Sequence, residues 1–193
     1  DGALLITPYY NKPTPAGQVA HYEAVARAVP RLPIMLYNVP SRTGTNMLPA
    51  TVARLSKVDN IQAIKEAAGS VDQVSQILSL CDITVMSGDD SLTLPMMAVG
   101  ATGVVSVAAN VAPGPVAEMC RRALAGDFAG AREIHYRLMP LFKALFIETN
   151  PMPVKAALAR MGLIRNVLRL PLVSLSEEKA PELEGVLRNL GLV

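Results

Sequence analysis

The sequence is poor in the residue types from which metal centres, disulfide frameworks and nucleic-acid surfaces are built. Its 193 residues include two histidines, two cysteines and no tryptophan, and aromatic residues make up 4%. So few histidines and cysteines argue against a metal site or a disulfide framework, and they fit a reducing, cytoplasmic setting. With 18 basic against 16 acidic residues and few rings for base stacking, the chain also lacks a nucleic-acid surface. We therefore expect neither a metal nor a nucleic-acid partner.

Charged residues are missing from one long stretch, residues 91–117, whose length raises the question of a membrane span. Three prolines and three glycines interrupt it, and a helix exposed to lipid would leave the freed backbone groups unsatisfied. A buried helix, a turn and a buried strand explain these residues better, so no membrane partner is expected. The first residues do not resemble a signal peptide. Because residue 1 is not methionine, we expect the chain to be part of a longer protein.

Five short aliphatic runs recur, at residues 3–7, 34–37, 61–65, 83–87 and 103–107. Helical patterns lie between them, at residues 18–26, 50–55, 71–80 and 92–99. Thr14 before Pro15, and Ser70 before residues 71–73, are typical helix starts. Only helical patterns follow, at residues 116–125, 128–147, 151–161 and 177–190, the last predicted to be capped by residues 174–177. Short apolar strands that alternate with helices predict βα units around a buried parallel sheet.

Two α/β architectures fit this pattern, an open doubly wound sheet and a (β/α)8 barrel. A doubly wound nucleotide-binding sheet carries a glycine-rich phosphate loop after a strand, and none of the five strand ends has one. The strand ends instead carry polar or reactive side chains, which is where barrels place their chemistry. Because a complete barrel typically needs ~250 residues, we predict part of a (β/α)8 TIM barrel with about five βα units. We place these units in residues 1–112, and the last barrel helix with a C-terminal helical region in residues 113–193.

Lys65 is the residue best suited to covalent chemistry. Because side chains alternate along a strand, it is expected to share one face with Ile61 and Ala63, while Glu66 lies on the other face. If the first face points into the barrel, burial lowers the pKa of the amine and makes it nucleophilic. Such an amine attacks a carbonyl to form a Schiff base. The alternative is a solvated lysine at a strand end, beside Glu66.

Two further polar side chains follow the preceding strand. Tyr37 stands at the strand end, where a phenol can relay protons or orient a bound oxygen. Arg42 lies in the turn after it, where a guanidinium can clamp a carboxylate through two parallel hydrogen bonds. The alternative for both residues is an ordinary surface turn.

Two pairs of like residues remain open to several interpretations. Tyr9 and Tyr10 form a polar loop after the first strand, and interface packing explains paired rings equally well. Asp89 and Asp90 are candidates for paired acids or metal ligands. A pair of carboxylates more often lies in the first turn of a helix, where the helix dipole favours negative charge. We expect this arrangement for Asp89 and Asp90.

Five segments occur in order along the chain. They are TPYYNKPT at residues 7–14, YNVPSRTG at residues 37–44, IKEAAG at residues 64–69, SGDD at residues 87–90 and GVVSVAAN at residues 103–110. Each is weak alone, but together they resemble the dihydrodipicolinate synthase family, (β/α)8 aldolases of lysine and diaminopimelate biosynthesis. The resemblance covers essentially all 193 residues, from the family's fourth barrel strand to its C-terminal helices.

The resemblance implies a lyase that condenses pyruvate with L-aspartate 4-semialdehyde without a cofactor. Pyruvate would form a Schiff base on Lys65, and its enamine would add to the semialdehyde. Tyr37 matches the proton-relay tyrosine beside this lysine, and Arg42 matches the arginine that binds the semialdehyde carboxylate.

The same resemblance implies an assembly and a wider site. Tyr10 matches a tyrosine that reaches into a neighbouring subunit's site, in a homo-oligomer built as a dimer of dimers. Gly88 and Val105 match positions around pyruvate, and Tyr9 matches a position near a regulatory lysine site.

Two other functions stay open at this point. One is a sister aldolase that acts on sialic or 2-keto-3-deoxy sugar acids with the same lysine, although Arg42 suits the carboxylate of a shorter substrate. The other is an inactive, truncated piece of a barrel. It is kept because the family's first three strands, and the loop that holds the pyruvate carboxylate, have no counterpart in this chain.

Overall fold

A computed structural model describes residues 1–193, which divide into two compact units, residues 1–105 and 106–193. The first unit holds all five strands. They are β1 (Ala3–Ile6), β2 (Ile34–Asn38), β3 (Ile61–Glu66), β4 (Thr84–Ser87) and β5 (Gly103–Val104). The helices of this unit are α1 (Pro15–Ala28), α2 (Pro40–Thr43), α3 (Pro49–Leu55), α4 (Val71–Leu80) and α5 (Thr93–Ala98).

The five strands form one parallel sheet in the order β1-β2-β3-β4-β5. Every crossover steps to the next strand in the same direction, so the sheet has no point at which the strand order reverses. A doubly wound sheet requires such a reversal, whereas a barrel is built without one. The sheet therefore has the topology of part of a (β/α)8 barrel, as predicted.

The register corrects one expectation about the faces of β3. Ile61 lies opposite Ile34 but Ala63 lies opposite Met35, so Gln62 is an extra residue that bulges from the strand. The bulge moves Ile61 to the face of Ile64 instead of that of Lys65. The prediction of a shared face for Ile61 and Lys65 is therefore wrong, while that for Ala63 and Lys65 is confirmed.

Helix starts in the first unit follow the sequence signals. The side chain of Thr14 accepts a hydrogen bond from the Gly17 N–H at the start of α1, with Pro15 in the first turn. Ser70 caps α4 in the same way, through the N–H of Gln73. These caps satisfy backbone donors that have no partner inside the helix.

The charge-free residues 91–117 form α5, β5 and a 3₁₀ turn at Ala108–Asn110, followed by the start of the next helix. The predicted helix, turn and strand are confirmed, but β5 ends at Val104 instead of continuing to residue 107. The chain turns there because the Ser106 hydroxyl accepts the Ala109 N–H and opens the 3₁₀ turn. None of the helices has the length and apolar character that a membrane span requires.

The second unit is helical. Its helices are α6 (Pro113–Leu124), α7 (Phe128–Ala144), α8 (Met152–Arg160) and α9 (Ala180–Asn189), and α7 packs against both α6 and α9. Leu138 and Leu141 of α7 and Leu187 of α9 are buried in its core. The predicted cap at residues 174–177 is wrong, because α9 begins at Ala180 after Lys179, with no side-chain cap.

Candidate active site at the carboxyl ends of the strands

Lys65 lies one residue before the end of β3, on the sheet face that the helices leave uncovered. Its neighbours across the sheet are Tyr37 of β2 and Met86 of β4, which share this face because they pair directly with it. The Lys65 Nζ lies 4.2 Å from the centroid of the Tyr37 ring. The structure thus brings together the two side chains that the sequence predicted as nucleophile and proton relay.

The surroundings of Lys65 favour its neutral amine. Partial burial lowers the pKa of the Lys65 amine, the Asp90 carboxylate opposes this shift, and the Arg42 guanidinium adds to it. The desolvation effect is the largest of the three, so the net shift is downward. A lysine with a lowered pKa has a larger neutral fraction near pH 7, and only the neutral amine attacks a carbonyl.

Tyr37 is suited to handing over a proton. Burial raises the pKa of its phenol, and the positive charge of Arg42 only partly offsets that effect. The hydroxyl therefore stays protonated at neutral pH. A protonated phenol beside a neutral amine is the pair that a proton relay needs at the start of a carbonyl addition.

Arg42 is held on a short helical turn after β2. This turn, α2, starts with Pro40 and ends at Gly44, whose φ of 69° lies in the left-handed region that favours glycine. A Cβ at position 44 would come within 2.9 Å of the Lys12 Cε, the mobile end of a flexible side chain, so the positive φ is the constraint that favours glycine there. Arg42 is exposed, and its charge reaches both Tyr37 and Lys65.

Gly88 packs against the stem of Lys65. A Cβ built at this position would lie 2.7 Å from the Ala67 Cβ and 3.0 Å from the Lys65 Cε. Since Ala67 has no rotamer with which to move away, only glycine lets the chain pass this close to the lysine. Val105 follows β5, and its N–H donates to the Ser87 carbonyl, which extends the ladder beside Gly88 by one hydrogen bond.

The rings of Tyr9 and Tyr10 do not join this group. Tyr9 and Tyr10 are 64% and 91% exposed, so the Tyr10 ring projects into solvent instead of toward Lys65. Tyr10 and Lys12 both have positive φ, at 68° and 47°. Residues other than glycine rarely adopt this region, so the loop presents its rings in a strained conformation.

The aspartate pair does not open a helix, contrary to our expectation. Helix α5 begins only at Thr93, and its first turn contains no acidic residue. The Asp89 Oδ1 accepts the N–H and the hydroxyl of Ser91, a local turn ahead of the helix. Asp90 is buried, and its charge acts on Lys65. The sequence analysis missed this role, although the position of Asp90 after the neighbouring strand end was a signal for it.

The fold and this site define a (β/α)8-barrel protein with a half-buried lysine, stacked on a tyrosine, at the carboxyl end of a central strand. A model of the dihydrodipicolinate synthetase family matches residues 1–190. The chain belongs to this family.

Relatives with this architecture are closely similar over the whole chain. The 4-hydroxy-tetrahydrodipicolinate synthases of Syntrophobacter fumaroxidans and Methanocaldococcus jannaschii are 52% and 54% identical to it, and the chain spans 67% of the length of each. The crystal structure of dihydrodipicolinate synthase from Aquifex aeolicus is 50% identical, with a TM-score of 0.97 over 100% of this chain and 66% of that one. The Acinetobacter baumannii enzyme in complex with pyruvate is 43% identical, also with a TM-score of 0.97, over 100% of this chain and 67% of that one. The predicted family is confirmed.

Proposed function

We propose that the protein is a 4-hydroxy-tetrahydrodipicolinate synthase, a lyase that condenses pyruvate with L-aspartate 4-semialdehyde. The observation that carries this proposal is the Lys65 amine, half-buried and 4.2 Å from the ring centroid of Tyr37 at the carboxyl end of the sheet. Homology to synthases over the whole chain supports the same activity.

The first step is Schiff-base formation. The neutral Lys65 amine attacks the keto carbon of pyruvate. The oxygen takes one proton from the amine and one from Tyr37, and it leaves as water. The resulting iminium withdraws electrons from the neighbouring methyl carbon, which then loses a proton to the Tyr37 phenolate and becomes an enamine. The lysine itself provides the electron sink, so the reaction needs neither a metal nor an organic cofactor.

The second step joins the two substrates. The enamine carbon attacks the aldehyde carbon of the semialdehyde, which forms the C–C bond and turns the aldehyde oxygen into a hydroxyl group. The amino group of the semialdehyde then attacks the iminium carbon and displaces Lys65, which closes the ring. Over the cycle one water leaves, and the lysine returns unchanged.

The remaining site residues are assigned to binding. Arg42 is placed to hold the semialdehyde carboxylate, since its guanidinium is exposed on a turn one strand away from Lys65. Gly88, which packs on the lysine stem, and Val105, which is bonded to the strand end before Gly88, would line the place where pyruvate lies. These roles are proposals that rest on the resemblance and on the positions of these residues.

Borohydride trapping tests the covalent step directly. Reduction of the Schiff base in the presence of pyruvate fixes the adduct, and peptide mass mapping then locates it. We expect the adduct on Lys65, since the amines of ordinary surface lysines stay protonated near pH 7. An adduct on a different lysine would contradict the proposal.

The experiment compares two lengths of the protein. One is the 193-residue chain, and the other, the completed chain, adds the segment that the Aquifex aeolicus relative has beyond this sequence. Lys65→Arg, which keeps a charge but no nucleophile, is the matched control and should give no adduct in either. An adduct on Lys65 in the completed chain alone would support Lys65 as the nucleophile and would identify the 193-residue chain as an inactive piece. Absence of an adduct from both would overturn the proposal.

We also propose a homo-oligomer, a dimer of dimers, in which Tyr10 completes a neighbour's site. Its 91% exposure and positive φ support this proposal, since a strained, projecting aromatic ring suits insertion into a partner. One relative, 46% identical with a TM-score of 0.94, is a monomeric variant, so assembly varies among such proteins. We also propose a cytoplasmic location, in keeping with a biosynthetic reaction.

Tyr9 is proposed to lie near a regulatory site for lysine. The dihydrodipicolinate synthase of Cyanidioschyzon merolae, 41% identical with a TM-score of 0.96, has been crystallised with lysine bound. Tyr9 stands next to Tyr10 on the same exposed loop, which would connect lysine binding to the neighbouring relay tyrosine.

A further inference from the structure

A buried carboxylate lies directly behind the proposed catalytic lysine. Glu66 follows Lys65 on β3, so its side chain leaves the opposite face of the sheet and points under the helices. It pairs across the sheet with Asn38, the residue after Tyr37. Both side chains have no exposed surface. A fully buried carboxylate is unusual and is kept only where its surroundings satisfy it.

Each oxygen of Glu66 accepts hydrogen bonds from groups on different segments. Its Oε1 accepts the Ala68 N–H at 2.8 Å and the Asn38 amide at 3.1 Å. Its Oε2 accepts the same Asn38 amide and the Gln73 amide, both at 3.1 Å. Glu66 therefore joins the end of β2 to the first turn of α4.

A second set of contacts anchors these partners in turn. The Asn38 Oδ1 accepts the Met47 N–H at 2.9 Å, and the Asn38 amide also donates to the Asn46 Oδ1 at 2.8 Å. The Asn46 amide donates to the Gln73 Oε1 at 2.8 Å. The cluster thus also fixes the segment before α3, and it holds four segments of the chain together around Glu66.

The contacts specify the charged form of Glu66. Asn38, Ala68 and Gln73 all present N–H donors to it, and a protonated carboxyl group would turn a donor toward donors. Burial raises the pKa of Glu66, and the three sets of hydrogen bonds oppose that rise. An amide at this position has the same shape, but it cannot accept at both atoms.

We propose that Glu66 is a positioning residue for the proposed reaction: with Asn38 and Gln73, its buried carboxylate holds the ends of β2 and β3 so that Tyr37 stacks on the Lys65 amine. The inference rests on the proposed function. Glu66 touches neither substrate in this arrangement, because it faces away from Lys65. It acts through the backbone of both strands. Glu66 is next to Lys65 on β3, and its partner Asn38 is next to Tyr37 on β2.

The backbone shows how this coupling works. The Ala67 N–H donates to the Asn38 carbonyl at 2.9 Å, and the Gly88 N–H donates to the Glu66 carbonyl at 2.8 Å. A shift of Glu66 would therefore move both neighbouring strand ends relative to Lys65. A change in the spacing of the lysine and the tyrosine would expose the amine to water and alter its pKa.

The test uses the completed chain and the rate of pyruvate-dependent adduct formation as a function of pH. Glu66→Gln should slow trapping by about 10- to 100-fold, the usual effect of an ångström-scale misplacement. The acid limb of the pH–rate profile should move to higher pH in this variant. The charged and titratable groups around Lys65 (Asp90, Arg42 and Tyr37) stay in place while the Lys65 amine becomes solvated, so the pKa of this amine should rise. The KM for pyruvate should change much less than kcat.

A charge swap separates positioning from simple damage. In the double variant Glu66→Gln with Gln73→Glu, the amide at position 66 donates to a carboxylate at position 73, which restores the contact between these two side chains but not both contacts with Asn38. We expect it to recover part of the trapping rate lost in Glu66→Gln and to move the acid limb back toward its original position. The matched control is Asn60→Ala, since Asn60 is also buried and donates to three carbonyls, but at the opposite end of β3. It should lower thermal stability and leave the acid limb in place.

Three outcomes would overturn the inference. They are an unchanged pH profile and rate in Glu66→Gln, an equal shift of the acid limb in Asn60→Ala, and no recovery in the swap. If Glu66→Gln does not fold, Gln73→Ala decides in its place, since it removes one donor and should give a smaller shift in the same direction. Failure of the unaltered protein to trap pyruvate at all would instead count against the proposed function.

Discussion

The partial burial of Lys65 has a cost for the stability of the fold. Partial burial favours its neutral amine, and so the folded protein holds a proton less tightly at this site than the unfolded chain does. Between the two pKa values the unfolded state binds the extra proton, so this residue makes the free energy of unfolding rise with pH. The penalty for burying the charged form is therefore larger at neutral pH than it is above the ordinary pKa of a lysine.

Replacing Lys65 by methionine should therefore not destabilise the protein at neutral pH. We expect Lys65→Met to have a free energy of unfolding equal to or above that of the unaltered chain at pH 7. The difference should shrink as the pH rises through the ordinary range of lysine, ~10.4. Urea unfolding at pH 7 and pH 10 measures this, with Lys57→Met, at an exposed lysine, as the control without a pH-dependent difference. Marked destabilisation at pH 7 would show that the lysine stem contributes more by packing than its amine costs.

At the scale of elements, α2 holds Arg42 close behind the end of β2. The four residues of α2, Pro40–Thr43, hold Arg42 on a turn that is fixed by the proline at one end and by Gly44 at the other. Because α2 begins two residues after β2 ends, Arg42 follows the end of that strand closely in the chain. An exposed guanidinium in a fixed position is suited to a carboxylate that arrives after pyruvate is bound.

Arg42→Ala should impair the second substrate more than the first. Loss of a charge-assisted hydrogen bond costs about 1.5–3 kcal/mol, or roughly 10- to 100-fold in the KM for aspartate semialdehyde. The KM for pyruvate should change little. Steady-state kinetics with each substrate varied in turn measure the two values, and Arg42→Lys, which keeps the charge but not the planar fork, should fall between. Equal losses for both substrates would indicate that Arg42 only maintains the loop.

The elements also show where sequence patterns are informative and where they fail. Helix α4 has the predicted bounds, because a capping serine and an amphipathic run are both local. The bulge at Gln62 and the early end of β5 were not predictable, since they depend on pairing with β2 and on the Ser106 hydroxyl. Lys65 and Tyr37 were predicted from alternation and strand ends, and their side chains do meet in the structure. Asp90 and the Glu66 cluster were not, because side chains from separate strands and helices meet only in the folded chain.

At the scale of the whole molecule, packing within its own subunit does not explain the position of Tyr10. Tyr10 is the most exposed large apolar side chain of the protein, and its backbone is in a conformation that costs about 1 kcal/mol for a residue other than glycine. Folding alone gives no reason to keep such a residue exposed and strained. Insertion into a symmetry-related subunit does, since a two-fold contact would give each chain one ring and one receiving site.

Subunit mixing tests this arrangement. Lys65→Ala and Tyr10→Phe should each be inactive or nearly so as pure oligomers of the completed chain, the first without a nucleophile and the second without the relay hydroxyl. In a mixed dimer, one site combines an intact Lys65 with an intact Tyr10 donated by the partner, so activity should return. Statistical mixing makes half of the dimers heterodimers with one complete site each, which sets the recovery at about a quarter of the unaltered activity.

The control mixes Lys65→Ala with Tyr37→Phe, in which Tyr37 acts beside the Lys65 of its own chain. Each site then takes both residues from one subunit, and no activity should return. If mass spectrometry confirms subunit exchange and the Tyr10 mixture stays inactive, Tyr10 serves its own chain or none.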